Sequence, residues 1–256
     1  MDEHVSWKML ESWVSSYSRG EVCASEKVGE LIIEVDSGMI GLKNPKKGLL
    51  QIINPNDFET GPLHPKAKLI ACSAGDGDYF AYILNPGSKK VVLLELVLEK
   101  EAFGVYSQDY PLGFALSESY CASAIGKNFL LLDFPAGAYV FINEEGVRRS
   151  AQVELGAGAK PGHTLPISCT VVDKDAAAIC TPKTLFVIRR EQRVGINLAE
   201  ALGRECRHPE FGYGKSESHS WLAIKDGESA ILVSLTDKSL GYTVIRGNEL
   251  KGKEIL

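Results

Sequence analysis

Three cysteines recur along this chain at nearly constant intervals: Cys72, Cys121 and Cys169 lie 49 and 48 residues apart. Thiolates bind soft metals and act as nucleophiles, so such spacing first raises metal or thiol chemistry. Two observations argue against both. No Cys-x-x-Cys pair occurs among the six cysteines. Equivalent positions in successive repeats also lie too far apart to share one ion through bonds of ~2.3 Å. Each of the three sits in an apolar run, where a thiol is a small buried hydrophobe.

Other chemistries are equally thin. Sugar hydrolysis needs two carboxylates about 5–10 Å apart, and beside the candidate inner strands only Glu118 and Glu217 qualify. Asp76-Gly77-Asp78 and Asp173-Lys174-Asp175 resemble pieces of a calcium loop but lack its closing Glu, and Asp at a turn caps its own backbone. Gly156 to Gly162 is rich in glycine, but Pro161 removes an N–H donor and no Lys-Ser/Thr follows, so it does not read as a phosphate cradle. Cys206, His208 and His219 match no closed zinc spacing. No Gly-x-Ser-x-Gly nucleophile motif is present. The expectation is no metal and no cofactor.

The cysteines mark a larger repeat. Each stands in an apolar run followed by a polar turn, a second run, a turn and a third run. The copies begin near Leu31, Leu69, Tyr120, Ile167 and Ser220. Runs of β-branched and aromatic residues between Gly, Asp, Asn and Pro clusters are strands joined by turns. One such meander cannot bury both its faces, so copies must pack on one another. A period of ~40–50 residues made of strands is that of a propeller blade. The spacing predicts an all-β, propeller-like repeat of about five degenerate antiparallel meanders, with an irregular β-sandwich as the alternative. A fourth strand is evident only after the third copy, over residues 146–155, and Asn197 to Gly203 reads as a short capped helix.

The start of the chain differs in kind. Trp7, Leu10, Trp13, Val14 and Tyr17 fall on one helical stripe. Asp2 and Glu3 suit the first turn and Gly20 a stop. The expected domains are an amphipathic helix over 1–20 packed on the body, and one all-β repeat domain over 21–256.

The 256 residues carry a net charge of −5, which argues against a nucleic-acid groove. No apolar run approaches the ~18 residues of a membrane span, and no secretory signal opens the chain. A cytoplasmic protein without membrane insertion is expected. Long, dissimilar loops on a rigid β frame are where binding concentrates. Tyr106, Tyr110, His163, Arg207, Phe211 and Tyr213 lie in such segments and are of the types that anchor protein partners. The expectation is a non-catalytic module that presents a loop face to a protein partner. An inhibitor or immunity protein against a basic partner is one form of it. The alternative is an enzyme or small-ligand binder with a pocket at the axis of the β ring.

Overall fold

The structure is a computed structural model. It describes residues 5–17, 23–36, 38–46, 48–58, 62–75, 78–99, 102–146, 148–152, 168–173, 175–189, 192–236 and 240–247. The fold is an all-β, propeller-like repeat of five four-stranded antiparallel sheets preceded by one helix, α1 (Trp7–Ser16). Each sheet is a meander of four consecutive strands. The first holds β1 (Ser25–Val28), β2 (Leu31–Asp36), β3 (Met39–Asn44) and β4 (Gly48–Ile53), and the second β5 (Lys68–Gly75), β6 (Asp78–Leu84), β7 (Lys90–Glu99) and β8 (Ala102–Pro111). The third holds β9 (Tyr120–Ile125), β10 (Asn128–Asp133), β11 (Ala138–Ile142) and β12 (Arg148–Gln152). The fourth holds β13 (Ser168–Asp173), β14 (Ala176–Cys180), β15 (Thr184–Arg189) and β16 (Gln192–Asn197). After α2 (Leu198–Leu202), the fifth holds β17 (Glu210–Lys215), β18 (Ser220–Asp226), β19 (Ser229–Ser234) and β20 (Tyr242–Arg246).

The meanders are complete, where the sequence suggested degenerate ones. In the first and fifth copies, the runs at Leu31 and Ser220 are second strands, preceded by β1 and β17. The strands missed in the sequence are polar or glycine-bearing, as in Glu210–Lys215 (EFGYGK) and Gln192–Asn197 (QRVGIN), so their period-2 signal is weak. Cys72, Cys121 and Cys169 do lie on equivalent first strands, opposite Phe80, Leu132 and Ile179 of the second strands.

The chain divides into two compact units, residues 19–162 and residues 1–18 with 163–256. In the first unit, Ile33 and Leu42 of the first sheet pack against Leu69, Ile83 and Leu94 of the second. Tyr82 of the second sheet stacks on Phe129 of the third, with ring centroids 4.2 Å apart. In the second unit, Leu185 and Val187 pack against Leu222, Ile224 and Ile231 of the fifth sheet. Interdigitation of facing sheets removes from water the apolar faces that one meander leaves exposed.

Helix α1 begins at Ser6, whose Oγ accepts the Met9 N–H at 3.2 Å, an N-cap. The helix is shorter than the expected 1–20, and Asp2, Glu3 and Gly20 lie outside the described residues. It packs on β17 and β18. Gly212 and Gly214 make that approach possible: a Cβ on Gly212 would stand 2.9 Å from the Val14 nitrogen, and one on Gly214 would collide with the Trp13 ring. Trp13 stacks on Trp221, and His219 stacks on the same indole. Tyr17, just past the helix, bonds Thr170 and the Val171 carbonyl on β13.

Candidate functional site at the loop end of the fifth sheet

A polar residue stands at the end of the second strand of each sheet or directly after it: Asp36, Asp133 and Asp226 end β2, β10 and β18, and Asn85 and Thr181 follow β6 and β14, the five spaced 49, 48, 48 and 45 residues apart. Three of them grip the segment that leads into their own sheet's first strand. Asn85 Oδ1 accepts the His64 N–H at 2.7 Å, and its amide donates to the Pro62 carbonyl. Asp133, fully buried, accepts from Ser117 N at 2.7 Å and Ala136 N at 2.9 Å. Asp226 accepts from Arg207 N at 3.1 Å and His208 N at 3.0 Å. Thr181 instead closes its own turn by accepting from Thr184 N at 2.9 Å. Loop backbone that would otherwise lack partners is thereby satisfied and fixed.

The fifth sheet elaborates the grip into a pocket. Asn197 caps α2 by accepting from Glu200 N, and Gly203 ends it at φ +70°, a left-handed stop suited to glycine. The chain then turns through Arg204 toward β17. Arg204 Nη1 donates to the Asp226 carboxylate and Nη2 to the Asp226 carbonyl at 2.7 Å. Lys225 Nζ donates to Glu210 Oε2 at 3.0 Å. Together with Arg207, His208 and Gly227 these residues line a shallow pocket of about 530 Å³. Burial alone pushes the Asp226 carboxyl up, but the Arg204 guanidinium and the Arg207 and His208 N–H groups hold it below its ordinary value. Two acids are thus matched by two cations. Arg207 is exposed and its side chain has no partner among the described residues.

Of the six residues singled out in the sequence, Arg207 is the one in this pocket. Tyr106 is exposed on β8 and its hydroxyl donates to Glu99 at 3.2 Å. Tyr110 and Phe211 face cores and not loop surfaces, each 5% exposed, because both fall at inward positions of strands where loops were expected. Tyr213 packs half-buried against the same core as Phe211. His163 and the glycine run 156–162 lie outside the described residues. The expectation missed Asp226, Glu210 and Lys225. The signal that could have found Asp226 is its place in the 45–49-residue series of polar strand ends.

A smaller pocket of about 240 Å³ in the first unit is lined by Lys66, Lys68, Glu118, Tyr120, Ala24 and Pro86, among others. Lys66 Nζ pairs with Glu118 at 2.5 Å, and that hydrogen bond holds the Glu118 carboxyl below its usual range. A general acid for glycoside cleavage needs the opposite shift. The Tyr120 hydroxyl is buried without a partner among the described residues. Asp173 accepts the Asp175 N–H at 2.9 Å, a turn of the Asx kind, while Asp76 and Gly77 lie outside the described residues. Among the described residues no group of three or more His, Cys, Asp or Glu side chains is placed to hold a metal.

No known protein family matches the sequence, and no curated protein matches it either. Solved structures do resemble it in fold. A protein of unknown function from Bacteroides caccae aligns at a TM-score of 0.42 and 11% identity, over 91% of this chain and 79% of that one. Virginiamycin B lyase from Staphylococcus aureus aligns at 0.42 and 13%, over 88% and 70%. AztD from Citrobacter koseri aligns at 0.37 and 11%, over 89% and 72%. These are likenesses of chain course alone. No helix among the described residues is long and apolar enough to cross a membrane.

Proposed function

We propose that this chain is a non-catalytic, cytoplasmic protein-binding module, and that the pocket at the loop end of the fifth sheet receives an acidic group of the partner. The observation that carries the reading is Arg207, a guanidinium without a partner among the described residues, at a pocket whose other charges are matched. A guanidinium takes a carboxylate through two parallel hydrogen bonds. The Asp226 grip on the Arg207 backbone fixes the loop beforehand, which lowers the ordering cost of association. The net charge of −5 steers partners of opposite overall sign, so a basic protein carrying one acidic side chain or a C-terminal carboxylate fits best. An inhibitor or immunity role against such a protein is the form this binding takes in the proposal.

The test is affinity capture from the native host, with the wild-type chain and Arg207→Glu run in parallel. A stoichiometric protein retained by the wild type and lost with Arg207→Glu is expected, with both baits equally folded. Retention of the same protein by both would remove the pocket from the reading, and no stoichiometric protein on the wild type would end it.

A further inference from the structure

We propose that the pocket of about 240 Å³ in the first unit binds a small carboxylic acid with an apolar body. The entries to three first strands build it. β1, β5 and β9 lead their sheets, and β5 packs on both of the others. Cys23 and Leu69 exchange backbone hydrogen bonds at 3.0 and 2.8 Å, which brings Ala24 to the start of β5. Asn85 grips the turn ahead of β5 through His64 N, and Asp133 grips the segment ahead of β9 through Ser117 N. Lys66 and Glu118, one on each gripped segment, then pair with each other. The walls are set before a ligand arrives, which lowers the ordering cost of binding.

The charges at the pocket do not cancel. Lys66 is engaged by Glu118, whereas Lys68 is exposed and its side chain has no partner among the described residues. A single carboxylate matches that remaining cation, and a phosphate dianion overshoots it. Ala24, Pro65, Ala67 and Pro86 make the rest of the lining apolar, which calls for an apolar ligand body. Tyr120 completes the wall. Its hydroxyl is buried without a partner among the described residues, and a phenol at neutral pH is a donor. A ligand acceptor brought against it supplies the bond that offsets its burial. The volume falls below the ~300–1,000 Å³ of drug-sized sites, which suits a ligand such as benzoate.

This site lies in a different unit from the pocket around Arg207 and stands whether or not that pocket takes a partner. The experiment titrates benzoate into the full chain and follows the backbone amides by nitrogen-edited NMR, with benzyl alcohol and inorganic phosphate in parallel. Saturable shifts at Ala24, Lys66, Lys68 and Tyr120 are expected, with a dissociation constant on the order of 1 mM for a ligand of this size. Lys68→Gln is expected to weaken benzoate roughly tenfold, and Tyr120→Phe roughly fivefold. Both variants keep the fold, since the Lys68 side chain has no partner among the described residues and phenylalanine retains the ring. Equal shifts with benzyl alcohol or with phosphate would overturn the assignment of a carboxylate. Shifts confined to residues 204–210, unchanged affinity in Lys68→Gln, or no saturable shift at roughly 10 mM benzoate would overturn the site.

Discussion

Asp226 holds Arg204 twice, its carboxylate accepting from Nη1 and its main-chain carbonyl accepting from Nη2 at 2.7 Å. The residues are 22 positions apart in sequence, and the contact pins the loop before β17 to the end of β18. Because the carboxylate also accepts two backbone N–H groups, Asp226→Ala leaves several donors poorly satisfied. The expected loss is about 2 kcal/mol, a fall in Tm of roughly 4–8 °C for a chain of this size. The pH dependence has a definite sign. The folded Asp226 carboxyl lies below its unfolded value, so its contribution is fully present above ~pH 4 and is lost as pH falls through the folded value. Asp226→Asn is expected to flatten the acid limb of a Tm-against-pH curve relative to wild type; parallel limbs would show that the carboxylate is not the group involved.

Asp133 performs the same service in the third sheet through two N–H donors, with no cation bonded to it among the described residues. Asp133→Ala is expected to cost about 2–3 kcal/mol in urea unfolding, since it removes a fully buried carboxylate from the Ser117 and Ala136 N–H groups. Asn85→Ala, which frees His64 N and Pro62 O at a less enclosed position, is expected to cost about half as much. An Asn85 loss larger than that of Asp133 would contradict the ranking by burial.

The sequence shows some of these elements and hides others for a physical reason. β10, β11 and β14 are buried along their whole length, so they read as continuous apolar runs between turns. β8 and β16 are the outer strands of their sheets and are largely exposed and polar; their identity rests on backbone pairing, which composition does not record. β17 hides for another reason. Its glycines look like loop residues until α1 is docked on them, a contact made between residues about 200 positions apart. Arg207 was visible by residue type and exposure. Asp226 was not, because Asp226-Gly227 reads as an ordinary turn and its grip on Arg204, Arg207 and His208 is a tertiary fact.

The docking of α1 gives a sterically defined test. Gly214→Ala puts a methyl group where the Trp13 ring lies, and overpacking of this kind costs about 1–3 kcal/mol. Trp13→Ala removes the ring and its stack on Trp221, at about 2–3 kcal/mol for a half-buried indole. Because both changes act on one contact, the double variant is expected to lose clearly less than the sum of the two single losses. Full additivity in urea unfolding, followed by tryptophan fluorescence, would mean that helix and strand are not in register as described.

Tyr120 supplies a prediction of opposite direction. Its hydroxyl is buried with no partner among the described residues, so it carries a desolvation cost that no hydrogen bond offsets. Tyr120→Phe keeps the ring against the core between the second and third sheets and removes that cost, so stability is expected to hold or rise by up to about 1 kcal/mol. Burial also pushes the Tyr120 hydroxyl up to about 12. A raised folded value in an acid means that the neutral form is favoured in the fold; its contribution is intact below the unfolded value of ~10 and is lost as pH rises toward the folded one. The buried Tyr82 is raised by the same cause, so the alkaline limb persists in Tyr120→Phe but becomes shallower. A marked destabilisation of Tyr120→Phe at pH 7 would show that the hydroxyl has a bonding partner, such as a bound water or a ligand in the adjoining pocket, and the cavity beside Lys66 and Glu118 would then hold a second polar site.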